Sequence, residues 1–581
     1  MNTMQGEKAL TGKPSIDRPW MKYYPQVMMD MISVPECTVT EYLKSRCPGM
    51  DVPAIHYYGE DITWGTIFEE AKRAAYALKA VGFEKGDQIP VFLRLVPEFV
   101  YLLLGAEMIG ASILCRDNTI EENVEAARNA GAKVIIAQDF LSKKEMEAYL
   151  AGSNIEKIVL VSPLHHGDKH TMPAHIRTCL KSTYPSVCAS GSATMQWDEF
   201  MAQGDNYTGE VEVSADINRP LFSAYTSGST GPSKQVIHSA KSMLGVVCQM
   251  NFYGGSEEMR PNWLVTCLPP ALVAVVVSMV LVPLSSNKLL IMDPFCFPED
   301  VDLELMRYKA NNWPMIPMFI EIVMRNGRLT EDYDLSHLLS AGAGCEALNN
   351  NQLKRVEKFL ADHNCNIRFT TGYGSSEAGS NITLPMADQP IRNGNVGIPM
   401  PLSVMGIFKP GTQEELGYNQ MGEICKAGPG NMLGYDNAKE TEKALQKHAD
   451  GKVWLHTGDV GYMDENGIIY SLNRGKALRY GGGELAVLPM ENRLADAEIK
   501  GIDDEFFVLL EDEVHPGYYV PYLYVVLEDG YSIKDIKKEV KNCLEPHMYP
   551  VEIIAVDERP FFHFKTNRIG LARELRGRKA V

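Results

Sequence analysis

The chain lacks the cysteine pattern and the N-terminal segment that mark exported, disulfide-linked proteins. Its twelve cysteines are scattered through 581 residues and form no C-x-x-C pair, so a disulfide scaffold is not indicated. Reduced thiols are the better interpretation of such spacing. The first twenty residues contain no apolar core segment, which argues against a secretory signal. We therefore predict a cytoplasmic location.

Positive charge and long apolar runs are also scarce. Lys and Arg number 56 against 74 Asp and Glu, giving a formal net charge of -18. This balance predicts that nucleic acid is not a partner, because phosphate contacts need a basic surface. One apolar run, "ALVAVVVSMVLVPL" at 271–284, is shorter than the ~20 residues a spanning helix requires. We predict a buried core helix there and no integral membrane span.

What is present is an ordinary globular composition with a regular alternation of elements. Hydrophobic residues make up 45% and charged residues 22%, as in typical globular domains. The stretches 63–95, 97–115 and 119–138 each read as a helix followed by a short apolar strand. Such alternation predicts βαβ units and parallel sheet. The expected fold class is α/β, with a large N-terminal domain of doubly wound βαβ subdomains.

The composition of the sequence changes near residue 470. The stretch "YSLNRGKALRYGGGE" crowds Arg, Lys and three glycines together, and mixed strand and helix patterns follow it. A chain of this length also exceeds what one hydrophobic core supports. We predict two domains, a large one at 1–473 and a small, mobile α+β domain at 474–581.

The stretch "YTSGSTGPSK", at 225–234, has the composition of a phosphate-binding loop. Glycines allow backbone N–H groups to converge on an oxyanion, hydroxyls add donors, and Lys234 adds a charge. A Walker loop is excluded, because Ser233-Lys234-Gln235 does not fit G-x-x-x-x-G-K-[ST]. The stretch alone predicts phosphate binding, with a flexible surface loop as the alternative.

The same stretch closely resembles the signature loop of the adenylate-forming superfamily, which includes acyl-CoA synthetases, peptide-synthetase adenylation domains and beetle luciferases. Further stretches resemble that family's motifs in the correct order, which argues strongly against coincidence. They are "LLSAGAGCE" at 338–346, "TTGYGSSEAG" at 370–379, "GEICKAGPGNMLGY" at 422–435, "WLHTGDVGYMDENGIIY" at 454–470 and "NRGKALRY" at 473–480.

The resemblance implies a two-step reaction. A carboxylic acid would be joined to the α-phosphate of ATP with release of pyrophosphate, and the acyl group would then pass to the thiol of CoA. The implied partners are a small-molecule acid, ATP, Mg²⁺ and CoA, and the expected function is an AMP-forming acyl-CoA synthetase, an acid-thiol ligase. Two alternatives stay open: an enzyme that loads an acyl or aminoacyl group onto the pantetheine of a carrier protein, and a degenerate member that binds nucleotide or acyl-adenylate.

The resemblance also implies roles for individual residues in ATP binding. The loop would hold the β- and γ-phosphates, Glu377 and Thr230 would hold Mg²⁺, and Tyr373 would face adenine. Asp459 would accept hydrogen bonds from the ribose hydroxyls, and Arg474 would reach ribose and phosphate. The implied ATP- or AMP-binding residues are Thr226, Ser227, Gly228, Ser229, Thr230, Gly231, Gly342, Ala343, Gly344, Gly372, Tyr373, Gly374, Ser376, Asp459 and Arg474.

Three further sites are implied in the C-terminal part. Lys476 matches the family's hinge position, and Gly481, Gly482 and Gly483 lie where the second face of the small domain would approach pantetheine. The family's C-terminal lysine aligns with Arg568, while Lys565 lies nearby in "FKTNRIG", so both are kept. The implied catalytic residues are Lys234, Glu377, Arg568 and Lys565.

The segments expected to form the acid-binding pocket resemble the family's motifs least. The aromatic-His element that often gates this pocket in the family is replaced by "CLPPALV". The apolar segments 271–284 and 311–323 are predicted to line or back the pocket. Apolar walls discriminate by shape and size, so a largely apolar acyl tail is expected.

Overall fold

The computed structural model of the protein describes residues 10–167, 170–185, 192–226, 233–252, 260–330, 332–386, 392–475, 477–562 and 564–579. Its α-helices are α1 (Pro14–Asp17), α2 (Gln26–Met31), α3 (Val39–Arg46), α4 (Trp64–Ala80), α5 (Pro97–Ile109), α6 (Ile120–Asn129), α7 (Lys143–Gly152), α8 (Ala174–Ser182), α9 (Trp197–Asp205), α10 (Ala240–Asn251), α11 (Val282–Ser285), α12 (Val301–Tyr308), α13 (Pro317–Asn326), α14 (Asn350–Asp362), α15 (Ala438–Ala444), α16 (Val487–Ala497), α17 (Ile533–Cys543) and α18 (Arg568–Lys579). Its strands are β1 (Pro53–Tyr57), β2 (Glu60–Thr63), β3 (Gln88–Phe92), β4 (Ser112–Cys115), β5 (Val134–Gln138), β6 (Lys157–Val161), β7 (Thr194–Gln196), β8 (Pro220–Tyr225), β9 (Gln235–Ser239), β10 (Asn262–Thr266), β11 (Leu289–Asp293), β12 (Asn312–Met315), β13 (Ser340–Ala343), β14 (Thr370–Thr371), β15 (Gly374–Ser375), β16 (Ser380–Asn381), β17 (Thr383–Leu384), β18 (Asn395–Pro399), β19 (Val404–Phe408), β20 (Gly422–Ala427), β21 (Gly434–Tyr435), β22 (Leu445–Lys447), β23 (Val453–Met463), β24 (Ile469–Arg474), β25 (Ile502–Glu511), β26 (Tyr519–Leu527), β27 (Ile553–Val556), β28 (Phe561–Phe562) and β29 (Lys565–Thr566).

Two sheets form the predicted βαβ architecture. One has the order β21-β9-β8-β4-β3-β5-β6-β7 and is parallel from β8 to β7. The helix–strand pairs expected from the sequence are present as α4–β3, α5–β4 and α6–β5. Helix α4 begins where the Thr63 hydroxyl accepts from the Thr66 N–H, an N-cap that satisfies a free donor of the first turn.

The other parallel sheet has the order β14-β13-β12-β10-β11-β1-β2. Its strands run parallel except β2, which forms an antiparallel hairpin with β1. The two sheets and their helices share one buried apolar core. Of the implied nucleotide-binding residues, Gly342 and Ala343 end β13 and Gly344 follows it at the carboxyl edge, where open α/β sheets bind their ligands.

A third, antiparallel sheet was not predicted. It has the order β17-β18-β24-β23-β20-β19, and β22 adds to β23. Its own core includes Trp20, Trp454 and Met463. Strands β18 and β19 are buried along their whole length, so they show no alternation of polar and apolar residues that would reveal an antiparallel sheet.

The C-terminal part has the expected α+β character. Strands β25, β26 and β27 form a small sheet that packs on α16 and α17 around Leu485, Phe507, Leu523 and Ile536. This apolar core is separate from that of the third sheet. The hairpin of β28 and β29 leads into α18.

Polar contacts join α14 of the large part to the C-terminal part. The Asn350 side-chain amide donates to the Asp496 carboxylate at 3.0 Å, and Lys354 and Glu498 form an ion pair at 2.8 Å. Arg355 lies 3.5 Å from the Asp503 carboxylate. Polar contacts of this kind are typical of interfaces between domains that move relative to each other.

The apolar run at 271–284 is a buried helix, as predicted, but it is not an α-helix throughout. Residues Val275–Leu281 form wide π-helical turns that continue into α11. Pro283 lacks an N–H to donate to a preceding carbonyl, and the wide turns directly precede it. No helix in the described part of the chain has both the length and the apolar character needed to cross a membrane.

Candidate functional site

Two adjoining cavities open at the carboxyl edge of the sheet that contains β13 and β14. One has a volume of about 360 Å³ and the other of about 630 Å³. Both are lined by Gly372, Gly374 and Lys565. The smaller cavity extends between Trp313 and the apolar run at 271–284, so both segments predicted to form the acid pocket contribute to its walls.

Asp459, Arg474 and Tyr373 form a hydrogen-bonded cluster on the larger cavity. Asp459 and Arg474 are direct cross-strand partners in β23 and β24, and Arg474 Nη1 donates to Asp459 Oδ1 at 3.2 Å. The Tyr373 hydroxyl donates to Asp459 Oδ2 at 2.9 Å. Burial raises the pKa of Asp459, and the Arg474 charge opposes this rise.

The backbone around Asp459 departs from regular β-structure. The pairing of β20 with β23 shifts register between Glu423 and Cys425, so that Thr457, Gly458 and Asp459 of β23 lie opposite the single residue Ile424 of β20. Glu423 Oε1 accepts from the Gly458 N–H at 3.0 Å and so supports the bulge. Bulges re-aim side chains next to active sites, and this one turns Asp459 toward the cavity.

Glu377 lies in a single 3₁₀ turn, Ser376–Ala378. Its Oε1 accepts from the Tyr435 hydroxyl at 2.8 Å, and its backbone carbonyl accepts from the Met432 N–H at 2.8 Å. The "GYGSSE" and "GPGNMLGY" motifs, far apart in the sequence, are therefore in direct contact at this carboxylate.

Thr226 and Lys234 close the base of the predicted phosphate loop. The Thr226 N–H donates to the Lys234 carbonyl at 2.9 Å, and the Lys234 N–H donates to Thr226 Oγ1 at 3.0 Å. Lys234 Nζ forms an ion pair with Glu440 at 2.6 Å and lies 5.0 Å from the Tyr435 ring centre. The hydrogen bond from Lys234 lowers the pKa of Glu440 to about 2.

Some predicted site residues fall outside the described part of the chain. They are Ser227, Gly228, Ser229, Thr230, Gly231 and the hinge residue Lys476.

Different contacts explain why glycine occurs at the predicted site positions Gly342, Gly374 and Gly344. A Cβ at Gly342 would lie 2.4 Å from Thr370 Oγ1, and one at Gly374 would lie 1.9 Å from the Ser380 carbonyl oxygen. Close strand packing therefore requires glycine at both positions. A Cβ at Gly344 would meet nothing within 4 Å, so only this glycine of the three leaves open space for a ligand.

Arg568 and Lys565 differ sharply in their surroundings. Arg568 forms ion pairs with Glu346 and with Glu491, the latter at 3.0 Å, and its Nε donates to the Phe507 carbonyl at 3.1 Å. Burial acts to raise the pKa of Glu346, but the charges of Arg568 and Arg559 outweigh it, so that pKa is lowered.

Lys565 makes no such pairs. It lines both cavities, and its side chain has no hydrogen-bond or ion-pair partner among the residues that the structure describes. Its hairpin is held in place one residue later, where the Thr566 N–H and hydroxyl both donate to Glu346 Oε2, at 2.9 and 3.0 Å. The available cation at the junction of the cavities is therefore Lys565.

The glycines predicted to approach pantetheine do not line either cavity in this arrangement. Gly482 donates its N–H to the Arg479 carbonyl at 3.0 Å. Added Cβ atoms at Gly482 and Gly483 would lie 2.7 and 2.8 Å from His547. The turn thus packs on the 3₁₀ turn Pro546–Met548 of the C-terminal part and not on the two cavities.

His238, on β9 four residues after Lys234, was not singled out from the sequence. It is fully buried, and its Nε2 lies 2.7 Å from the Ser376 carbonyl oxygen. Burial lowers its pKa to about 4, so the ring is neutral at pH 7 and donates to that carbonyl. His238 therefore fixes the turn that carries Glu377.

Comparison with known proteins agrees with this geometry. The chain is 28% identical to 4-coumarate–CoA ligase of Vanilla planifolia over 84% of this chain and 82% of that protein. It is 28% identical to 4-coumarate–CoA ligase 2 of Nicotiana tabacum over 83% of this chain and 82% of that protein.

Solved structures share the fold. The ATP-bound crystal structure of MatB from Rhodopseudomonas palustris superposes with a TM-score of 0.74 at 20% identity, covering 93% of this chain and 99% of that one. The anthranilate CoA ligase AuaEII, in complex with anthranoyl-AMP, superposes with a TM-score of 0.75 at 16% identity, covering 95% and 100%. Residues 45–436 match the AMP-binding enzyme family, and the chain belongs to that family.

Proposed function

We propose that the protein is an AMP-forming acyl-CoA synthetase that activates a carboxylic acid with ATP and transfers the acyl group to CoA. The observation that carries the proposal is the position of Lys565 at the junction of two cavities. One cavity has an apolar arm beside Trp313, and the other has the Asp459–Arg474 pair. The similarity to CoA ligases supports the same reaction.

In the first step, a carboxylate oxygen of the acid would attack the α-phosphorus of ATP. The bond from that phosphorus to the bridging oxygen would break, leaving acyl-AMP and pyrophosphate. Both reactants are anions, so positioning and charge stabilisation would supply most of the rate enhancement. Lys565, which lines both cavities, would contact the carboxylate and the α-phosphate together through its ammonium group, and Ser376 would donate to the same phosphate.

The nucleotide would be held by groups that are already oriented. Asp459 would accept from the ribose hydroxyls, because Tyr373 and Arg474 hold its carboxylate in place. Gly342, Ala343 and Gly344 would lie along the adenine, with the open position at Gly344.

The phosphates would lie between the Thr226–Lys234 loop and Glu377. Hard carboxylate oxygens suit Mg²⁺, and Glu377 Oε2 has no protein donor in the described chain, while Oε1 accepts from Tyr435. These residues fit a magnesium ion bound with ATP, which would neutralise phosphate charge. Lys234 would exchange the Glu440 carboxylate for a phosphate oxygen.

In the second step, the sulfur of CoA would attack the carbonyl carbon of acyl-AMP and lose its proton. AMP would leave as the single bond between that carbon and the phosphate oxygen breaks. We propose that the C-terminal domain, residues 474–581, rotates about Lys476 between the steps. The turn of Gly481, Gly482 and Gly483 would then replace Lys565 at the cavity. The separate apolar core of that domain supports such a movement.

An ATP–pyrophosphate exchange assay over a panel of carboxylic acids, with and without CoA, tests the proposal. The expected result is acid-dependent exchange, with thioester formed and AMP released when CoA is added. Exchange without thioester formation would favour transfer to a carrier protein instead. If no acid supports exchange while ATP still binds, the protein is a nucleotide-binding member without turnover and the proposal is overturned.

A further inference from the structure

A second cluster of ligand-type side chains lies outside both cavities. Glu98 near the start of α5 and His165 and His166 in the turn after β6 bring a carboxylate oxygen and two imidazole nitrogens within 4.8 Å of one another. None of the three lines the cavities described above. The reaction proposed for the protein uses none of them.

The carboxylate in this cluster has an unusual environment. Glu98 is 1% exposed, and its Oε1 has no hydrogen-bond partner among the described residues. A buried carboxyl oxygen without a partner is costly, and native structures rarely leave one unexplained. Burial raises the pKa of Glu98 to about 7, with the nearby His166 acting in the opposite direction.

The histidine beside it is oriented as metal ligands are. His166 Nδ1 lies 3.0 Å from Glu60 Oε1, and the other Glu60 oxygen accepts from the Gly167 N–H at 2.7 Å. When the Nδ1–H of neutral His166 donates to the Glu60 carboxylate, the lone pair of the ring is on Nε2. A carboxylate on the second nitrogen fixes the ring and tautomer of a metal-ligating histidine. The Tyr101 hydroxyl, 3.2 Å from Nε2, now faces that lone pair.

The surrounding charges favour a cation. Besides Glu98 and Glu60, Asp198 lies near the cluster, with Oδ1 3.6 Å from His165 Nδ1. Glu70 is also close, but its charge is paired with Arg73 at 2.8 Å. His165 has a partly exposed side chain, so an ion could reach the cluster from solvent.

We propose that Glu98, His165 and His166 form a binding site for a divalent transition-metal ion, with Zn²⁺ the best match. One carboxylate with two imidazoles is a donor set of zinc sites, whereas Mg²⁺ and Ca²⁺ prefer oxygen ligands. The ion would join three elements that meet here: the β1–β2 hairpin through Glu60, helix α5 through Glu98, and the turn after β6. Its role would be to stabilise this corner of the large domain.

Zinc titration of the full-length protein by calorimetry, after removal of metal with a chelator, tests the site. Glu98→Gln keeps the size of the side chain and removes its charge, and His165→Gln removes a ligand at the exposed side. His56→Gln is the matched control, because His56 pairs with Asp61 on the same hairpin at 2.6 Å. Cys425→Ser is made in every variant, because Glu423, Cys425 and His456 form another group of possible ligands.

We expect the Cys425→Ser protein and its His56→Gln derivative to bind zinc with equal affinity. Glu98→Gln and His165→Gln should each weaken that binding by at least about tenfold, and saturating zinc should raise the melting temperature only where Glu98 and His165 are intact. If the Cys425→Ser protein does not bind zinc, or if Glu98→Gln and His165→Gln, shown to be folded by circular dichroism, bind it unchanged, the proposal is wrong.

Discussion

At the scale of single residues, contacts between protein groups organise the candidate site. Asp459 is mostly buried and faces both Tyr373 and Arg474. Its carboxylate is therefore desolvated and aimed by protein groups, so that hydrogen bonds to a ribose would form without reorganisation. Preorganised polar groups of this kind contribute more than flexible ones.

Replacing this carboxylate should weaken nucleotide binding. Asp459→Asn is expected to raise the Kd for ATP about tenfold to a hundredfold, because a hydrogen bond to a charged group contributes about 1.5–3 kcal/mol. Calorimetric titration with ATP measures this. Glu465→Gln, an exposed change at the turn of the same hairpin, serves as the control. An unchanged Kd in a folded Asp459→Asn protein would remove Asp459 from the nucleotide site.

Lys565 should act in one half-reaction only. Lys565→Ala is expected to slow formation of acyl-AMP by a hundredfold or so, as for loss of one charge-stabilising donor. It should spare the attack of CoA on acyl-AMP supplied ready-made, because that step would use the other face of the C-terminal domain. Rapid-quench measurement of both steps, with exposed Lys538→Ala as control, tests this. Equal losses in both steps would contradict the role.

Arg568 should instead affect stability. Arg568→Ala leaves the Glu346 and Glu491 carboxylates without their shared cation, and losing a hydrogen-bonded charge from a partly buried cluster costs about 1.5–3 kcal/mol. Urea unfolding of the full-length protein, followed by circular dichroism, measures the loss. If Arg568→Ala is stable but selectively loses adenylation, then Arg568 and not Lys565 is the catalytic cation.

At the scale of elements, a short turn positions Glu377, a proposed magnesium ligand, and buried residues behind the turn fix it. The 3₁₀ turn that carries Glu377 has only three residues. Its own hydrogen bonds cannot hold it rigid, so its position depends on contacts from β9 and β21. His238 on β9 supplies one contact and Tyr435 on β21 another.

The pH dependence of stability should report on His238. Burial lowers the pKa of His238 from 6.5 to about 4. Between these pH values the imidazole is protonated in the unfolded chain and neutral in the folded protein. Stability contributed by neutral His238 is present above pH 6.5 and is lost as pH falls toward 4, by up to about 3 kcal/mol. The melting temperature of His238→Gln should fall less than that of the unmodified protein as the pH is lowered over this range. The melting temperature of His515→Gln should change with pH as that of the unmodified protein does. Parallel curves for all three would contradict this assignment.

The sequence predicted the elements whose patterns are local. Helices α4, α5 and α6 with their strands follow from apolar periodicity, and motif resemblance assigned Asp459 and Arg474 to one site, where both line the larger cavity. Periodicity could not reveal β18 and β19, which are buried on both faces. It could not reveal His238 or Glu440 either, because their roles depend on contacts across the fold. The choice between Lys565 and Arg568 likewise needed the positions of Glu346 and Glu491.

At the scale of the whole molecule, the two parts meet through a surface that is largely polar. Glu346 is the central group, because it accepts from Thr566 and pairs with Arg568 beside the hairpin that presents Lys565. Rotation of the C-terminal domain would have to break these contacts in every cycle.

Weakening this contact should shift the balance between the two steps. Glu346→Gln is expected to lower the rate of acyl-AMP formation several-fold while leaving thioester formation from supplied acyl-AMP unchanged or faster. Glu498→Gln is the control, because its pair with Lys354 is exposed and such pairs contribute little. Parallel loss of both half-reactions in Glu346→Gln would show that the residue supports folding rather than docking.

The ion pairs between α14 and the C-terminal part have a consequence for the medium in which the enzyme works. Exposed charges lose most of their attraction once the Debye length, about 8 Å at physiological ionic strength, shortens to about 3 Å at 1 M salt. Lys354–Glu498 and Arg355–Asp503 lie in this exposed class, whereas Glu346 is shielded. Dissolved salt would therefore weaken the contacts at the rim of this interface, while the shielded contacts of Glu346 at its centre would change little.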